Sequence, residues 1–203
     1  MNELRSVALT FDAEHPDRPW CPPGAAERIL DVLAGAGIRA SFFIQGRWAE
    51  AYPGTARRIA DEGHLIGNHS HHHARMPLLL DRGLQEDMDA ARDAIVRATG
   101  RDPRPWFRCP WGAGDEDPRV LAALTAAGYR HVGWHVEVED WEPTRTPEAI
   151  AADAIEGIRR HGDGTVLLLH TWPGGTVDAL PLVLEELLGG IRFITVDALA
   201  EVP

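Results

Sequence analysis

A short apolar strand followed by a helical stretch recurs along this 203-residue chain, and that alternation restricts the fold more than any other feature. Val7–Phe11 is a near-continuous apolar strand, and Ala25–Ala36 is helical in pattern, closed by the Gly35/Gly37 region. Ala40–Ile44 is the next strand, then a helix from about Gly54 to Glu62 and a short strand at Leu65–Ile66. Arg82–Thr99 is the clearest amphipathic helix, stopped by Gly100 and then Pro103. A strand at about Trp106–Arg108 precedes a helix at Pro118–Ala127 that ends on Gly128. Arg130–Trp134 is strand-like, and Thr146-Pro147-Glu148 opens a helix with a capping residue and Pro in its first turn. Thr165–Leu169 is the most apolar strand, followed by a helix within Val177–Leu188 and a last strand at Ile191–Val196. Such alternation implies an α/β fold of parallel strands with helical crossovers, in an open sheet or a barrel. About seven strands are too few for a full eightfold barrel, which takes about 250 residues.

With 44% hydrophobic residues the chain can build one substantial core, so residues 1–203 read as a single domain. A formal charge of −11 argues against nucleic acid or an anionic membrane surface as partner, since both need clustered cations. All 20 basic residues are Arg. No apolar run reaches membrane-spanning length. Met1-Asn2-Glu3-Leu4-Arg5-Ser6 lacks the segments of a secretory signal, so the expectation is a cytoplasmic protein. Oligomeric state is not legible. Cys21 and Cys109 are too few for a disulfide framework and read as reduced thiols.

The residues able to do chemistry cluster after strand ends: Asp12, His69, Arg108, Asp140 and His170. In parallel β/α folds that rim is where sites are built. His69 and His73 have the spacing that places two side chains on one face of a helical turn, a geometry a divalent transition metal can use. His71 and His72 read as incidental surface residues, and His64 as a packed one. Asp12 and Glu14, two apart at a strand end, point the same way if the strand continues. One then binds metal while the other takes a proton from water; the plainer reading is a strand end with solvated acids. His170 is either a satisfied core histidine or a general acid. Arg108 and Asp140 either form an ion pair that orients the base or a structural bridge. Trp106, Trp111, Trp134, Trp141 and Trp172 either line a cleft or pack the core and rim.

In order along the chain, these pieces resemble the polysaccharide deacetylase family, the NodB homology domain of carbohydrate esterase family 4. Thr10-Phe11-Asp12 is similar to its Thr-Phe-Asp-Asp motif, and His69-Ser70-x-x-His73, after Gly63-His64-x-Ile66-Gly67-Asn68, to its zinc motif. Arg108-Cys109-Pro110-Trp111-Gly112 resembles the Arg-x-Pro motif that walls the groove. Val136-Glu137-Val138-Glu139-Asp140-Trp141 resembles the Asp-Trp motif, and Leu167-Leu168-Leu169-His170 the Leu-x-x-His motif. The resemblance implies a distorted (β/α)7 barrel and hydrolysis of an N-acyl amide, most often the N-acetyl group of an amino sugar. It casts Asp12 as the base, His69 and His73 as ligands of Zn2+ or another divalent transition metal, and His170 as the acid. Arg108 with Asp140 would tune Asp12. Pro110, Trp111, Trp141 and Leu168 would shape the substrate and acyl pocket. Two positions depart from the pattern. Ala13 stands where the family has its ligand aspartate, and Glu14 is the obvious replacement; Thr171 stands where an Asp often follows the histidine. The lack of a leader favours a soluble N-acylated sugar or related small molecule. The alternatives are cyclic amide or imide hydrolysis, as in the allantoinase-like branch, and a non-catalytic carbohydrate-binding relative.

Overall fold

The computed structural model describes residues 5–15, 21–200 and 203; Met1–Leu4, on which the signal-sequence reading partly rests, lies outside the described residues. In chain order the first elements are β1 (Arg5–Ala13), α1 (Ala25–Ala36), β2 (Ser41–Ile44), α2 (Gly46–Ala51), α3 (Pro53–Asp61) and β3 (Leu65–Asn68). Next come α4 (Asp81–Thr99), β4 (Trp106–Phe107), α5 (Pro118–Ala126), β5 (Arg130–His131) and β6 (Val136–Glu137). The last are α6 (Pro147–His161), β7 (Thr165–His170), α7 (Gly174–Leu187) and β8 (Ile191–Ile194). The α/β alternation is as the sequence implies. Two details differ. Helix α2 has no counterpart in the expected elements, being under two turns long. The expected strand at Arg130–Trp134 shortens to β5: Val132 N–H still bonds the Phe107 carbonyl of β4 (2.8 Å), but Gly133 N–H turns to that of Pro203 (2.6 Å).

The chain divides into two compact units, residues 1–11, 18–41 and 134–202 in one, and 12–17, 42–133 and 203 in the other. In the first unit β1 pairs in parallel with β8, Arg5 opposite Ile191 and Ala8 opposite Ile194. There β6 pairs in parallel with β7, Val136 opposite Leu167. The Thr10 hydroxyl donates to the Leu167 carbonyl at 2.7 Å, which links β1 to β7. Val7, Leu9, Val166 and Leu167 are wholly buried, in keeping with strands covered on both faces. Helix α6 starts where Thr146 accepts the Ala149 N–H (3.2 Å) and Pro147 takes the first turn. Helix α1 stops at Gly37, whose φ of 66° is the left-handed cap that glycine adopts without strain.

In the second unit the strands follow one another β2, β3, β4, β5. Asn68 lies opposite Phe107 and Trp106 opposite Arg130, both in parallel pairings. The Gln45 N–H donates to the Ala13 carbonyl (2.9 Å) and the His69 N–H to that of Ile44 (3.0 Å), so the ends of β1, β2 and β3 are held level. Helix α4 buries Leu84, Met88, Ala91 and Ile95, the i, i+4, i+7, i+11 stripe of an amphipathic helix. Its upper part packs with Met76, Phe107, Val120 and Leu124. Helix α2 meets α4 at Gly46, where an added Cβ would lie 2.8 Å from the Ala91 Cα; only glycine allows that approach. Among the described residues, no helix is long and apolar enough to cross a membrane.

Candidate active site

Asp12 is the penultimate residue of β1, and Glu14 is the first residue beyond it. Both are buried, and both face His69: its Nε2 is 3.4 Å from Asp12 Oδ2 and 3.2 Å from Glu14 Oε2. The sequence-based expectation that the two acids share a direction holds. Glu14 Oε2 also contacts Nε2 of His73. One carboxylate oxygen and two imidazole nitrogens thus have all their donor atoms within 4.8 Å of one another, with the side chains 4%, 1% and 6% exposed.

The histidines reach this arrangement by a route other than the one their spacing suggests. Residues 69–73 form no helical turn: Ser70 and His73 adopt φ of 65° and 58°. Left-handed residues cannot continue a right-handed helix. The loop is instead pinned from outside. Asn68 donates to the Met88 carbonyl (3.1 Å) and the Tyr129 hydroxyl (2.9 Å) and accepts the Ser70 N–H (2.9 Å). Asp87, buried on α4, accepts the N–H groups of His71 (2.9 Å) and His72 (3.1 Å). The Ser70 hydroxyl accepts the His73 N–H at 3.0 Å. The His72 ring is exposed, while His64 is buried and packs edge-on against Phe42.

His69 Nδ1 lies 2.9 Å from the Arg108 carbonyl, a pure acceptor, so Nδ1 carries the proton and the neutral ring turns the Nε2 lone pair towards the two carboxylates. A lone pair facing an anion is repulsive unless a cation intervenes or the ring is doubly protonated. Burial lowers the His69 pKa, yet Asp12 and Glu14 outweigh it and the net shift is upward. For His73 burial prevails over the pull of Glu14, and the shift is downward. The donor set, two imidazole nitrogens and one carboxylate oxygen, is one that suits a divalent transition metal with a position left for water or substrate.

Arg108 is wholly buried. Its NH1 donates to Asp12 Oδ1 (2.9 Å), Nε to the Val132 carbonyl (3.1 Å) and NH2 to the Gly133 carbonyl (3.0 Å). Its guanidinium carbon lies 4.1 Å from the Phe43 ring centroid. Burial lowers its pKa from the usual value, against the opposing charge of Asp12. Asp140 has other partners: it accepts the His170 N–H (2.8 Å), lies 2.7 Å from His170 Nδ1, and accepts the Thr176 hydroxyl (2.6 Å). Within its own unit Arg108 pairs with Asp12, and within the other Asp140 pairs with His170. A carboxylate on Nδ1 makes Nε2 the nitrogen of His170 that exchanges a proton. Trp141 and Trp172 stand edge-on to that ring, at 5.2 and 6.0 Å. Leu168, two residues before His170 on β7, is buried on the same strand face.

Pro110 and Trp111 lie in a short 3-10 turn in which Trp111 has φ 61°. Pro110 is buried, whereas Trp111 is 53% exposed with its ring 4.7 Å from that of His73. The neighbouring Gly112 and Ala113 N–H groups are spent on the Cys109 and Pro110 carbonyls (3.1 and 2.9 Å). Cys109 is buried and its thiol is pushed up to about 12, which agrees with the reading of an unreactive thiol. Sequence reasoning missed His15, Gln45, Asp87 and Thr176. His15 alone had a signal, its place beside Glu14; the others act only through tertiary contact.

The second unit thus holds a buried His/His/carboxylate cluster beside a carboxylate paired with a buried Arg, and the first unit an Asp-held histidine, residue types that hydrolysis of an amide can use. A family model for polysaccharide deacetylase matches residues 2–132. The chain is 32% identical over 200 residues to a peptidoglycan-N-acetylglucosamine deacetylase of Bacillus cereus, covering 95% of this chain and 67% of that one. It is 32% identical to a chitooligosaccharide deacetylase of Azorhizobium caulinodans, covering 81% and 73%. A carbohydrate esterase family 4 pseudoenzyme from Bacillus anthracis superposes with a TM-score of 0.84 over 99% of this chain and 67% of that one; at 24% identity it shows the fold alone. This chain belongs to the polysaccharide deacetylase family, hydrolases of amide bonds, and its fold is the NodB-like α/β class that the sequence motifs imply.

Proposed function

We propose that this protein removes the N-acetyl group from an amino sugar in a reaction that requires Zn2+ or a similar divalent ion held by Glu14, His69 and His73. The observation that carries the reading is the convergence of Glu14 Oε2 with Nε2 of both histidines in a buried cluster. A metal bound there supplies Lewis acidity towards the acyl oxygen and lowers the pKa of water.

The remaining roles belong to the protein. Asp12 takes the proton from the attacking water: Arg108 holds Oδ1, and Oδ2 is the oxygen turned towards His69. The backbone N–H of Trp111 stabilises the developing oxyanion, a contribution of about 3 kcal/mol per donor in other hydrolases. His170, fixed through Nδ1 by Asp140, gives its Nε2 proton to the leaving amine, and the buried carboxylate stabilises the imidazolium that precedes transfer. Pro110 and Trp111 wall the sugar subsite, while Trp141 and Leu168 bound the acyl group. The relatives' peptidoglycan and chitooligosaccharide substrates support an N-acetylated amino sugar as the substrate class.

Acetate release from N-acetylglucosamine oligomers, with and without chelator, tests the proposal. Chelator-sensitive release that Asp12→Asn lowers by about 10²–10⁴-fold while metal stays bound supports it. Turnover of cyclic imides in place of acetylated sugars, or no turnover of either by zinc-loaded protein, overturns it.

A further inference from the structure

Glu14 is followed by a residue that touches two of the three proposed ligands. His15 has φ 53°, a left-handed conformation uncommon outside glycine, so its placement must be imposed by neighbours. Its N–H donates to Gln45 Oε1 at 3.0 Å. Gln45 is itself buried at the end of β2, with its own N–H on the Ala13 carbonyl (2.9 Å). This turn brings the His15 ring back over the cluster. Nε2 lies 3.1 Å from Glu14 Oε1, a close charge contact out of line for a hydrogen bond, and the ring stands edge-on to His73 with centroids 4.5 Å apart.

The two oxygens of Glu14 therefore face different partners, Oε1 the His15 ring and Oε2 both His69 and His73. We infer that His15, set by Gln45, is a positioning residue that fixes Glu14 as a one-oxygen ligand and steadies the His73 ring against it. The inference rests on the ligand set proposed above. It follows from the one-residue shift of the acid: Ala13 ends the strand with its carbonyl committed to Gln45, and a glutamate beyond the strand end has three side-chain torsions to be held. Partners that orient ligand groups in this manner change metal affinity by about 10–100-fold when removed.

The test uses metal-free protein and four variants, read by Zn2+ competition with a chromophoric chelator and by the visible spectrum of the Co2+ form. His15→Asn tolerates the left-handed backbone but is too short to reach Glu14; Gln45→Met removes the acceptor that sets the turn. Both should weaken Zn2+ binding by about 10–100-fold and shift the Co2+ bands, while near-ultraviolet circular dichroism of the metal-free proteins stays unchanged. His15→Gln, which returns a polar group of similar reach beside Glu14 Oε1, should regain part of the loss. Affinities within about threefold of the parent in both His15→Asn and Gln45→Met, with unaltered Co2+ bands, would overturn the inference. Glu14→Ala separates the two claims: loss of metal there alone refutes only the role of His15, whereas metal retained in Glu14→Ala refutes the ligand set and the inference with it.

Discussion

Replacing Arg108 by Met should be among the most damaging single changes in the second unit, and its cost can be apportioned. The guanidinium is wholly buried and bonded to Asp12, itself 4% exposed, and to the carbonyls of Val132 and Gly133. Methionine fills much of the volume over Phe43 but leaves a buried carboxylate without its countercharge. Breaking a buried pair from one side costs about 3–5 kcal/mol, against a total stability of about 5–15 kcal/mol. Asp12→Asn keeps an acceptor for the guanidinium and should cost about 2–3 kcal/mol. The double variant removes both charges at once, so its cost should fall short of the sum by about 2 kcal/mol or more. Urea unfolding of the metal-free proteins measures this, provided the slope with denaturant is common to all four. Single effects that add to within about 0.5 kcal/mol would refute the claim that Arg108 and Asp12 are energetically coupled.

Other expectations follow from single contacts. Asp87→Ala frees the His71 and His72 N–H groups from α4, so it should destabilise the protein by about 2–3 kcal/mol in urea unfolding and weaken Zn2+ binding through His73; His72→Ala, on an exposed ring, should change neither. Native protein treated with iodoacetamide at pH 8 should lose at most one thiol, Cys21, because Cys109 is buried with a thiol near 12; unfolded protein should lose both, as mass spectrometry will show. His131 is held near 4 by burial and then by the charge of Arg108, so from pH 6.5 down to about 4 the unfolded chain binds a proton that the folded one refuses. Its contribution is therefore lost as pH falls, by about 3 kcal/mol at pH 4, and His131→Gln should remove that part of the slope in a series of urea titrations.

The periodic elements were legible because local chemistry sets them. Helix α1 lies where Gly37 ends the pattern, and α6 starts on Thr146 and Pro147 as capping rules require. The shared direction of the two acids was legible too, since Asp12 and Glu14 stand two apart at a strand end and both face His69. What could not be read is how the loops bend. His15, Ser70, His73 and Trp111 carry positive φ around the cluster, and Glu139 does so beside Asp140. No residue preference announces that conformation in histidine or tryptophan; it is imposed by Gln45, Asp87 and Asn68 from elsewhere in the fold. For that reason the helical turn expected from His69 and His73 proved to be a clamped loop, which still brings both rings to Glu14. The partners that Arg108 and Asp140 have within their own units, Asp12 and His170, could not be read from spacing either, because each is distant along the chain.

An anomalous difference map from a zinc-loaded crystal, recorded at the zinc edge, tests the central claim most directly. The account predicts one peak per chain about 2.0–2.2 Å from Glu14 Oε2 and from Nε2 of His69 and His73, with Asp12 still paired to Arg108. A peak bonded to Asp12 with Glu14 turned away, or no peak at that cluster, would contradict it.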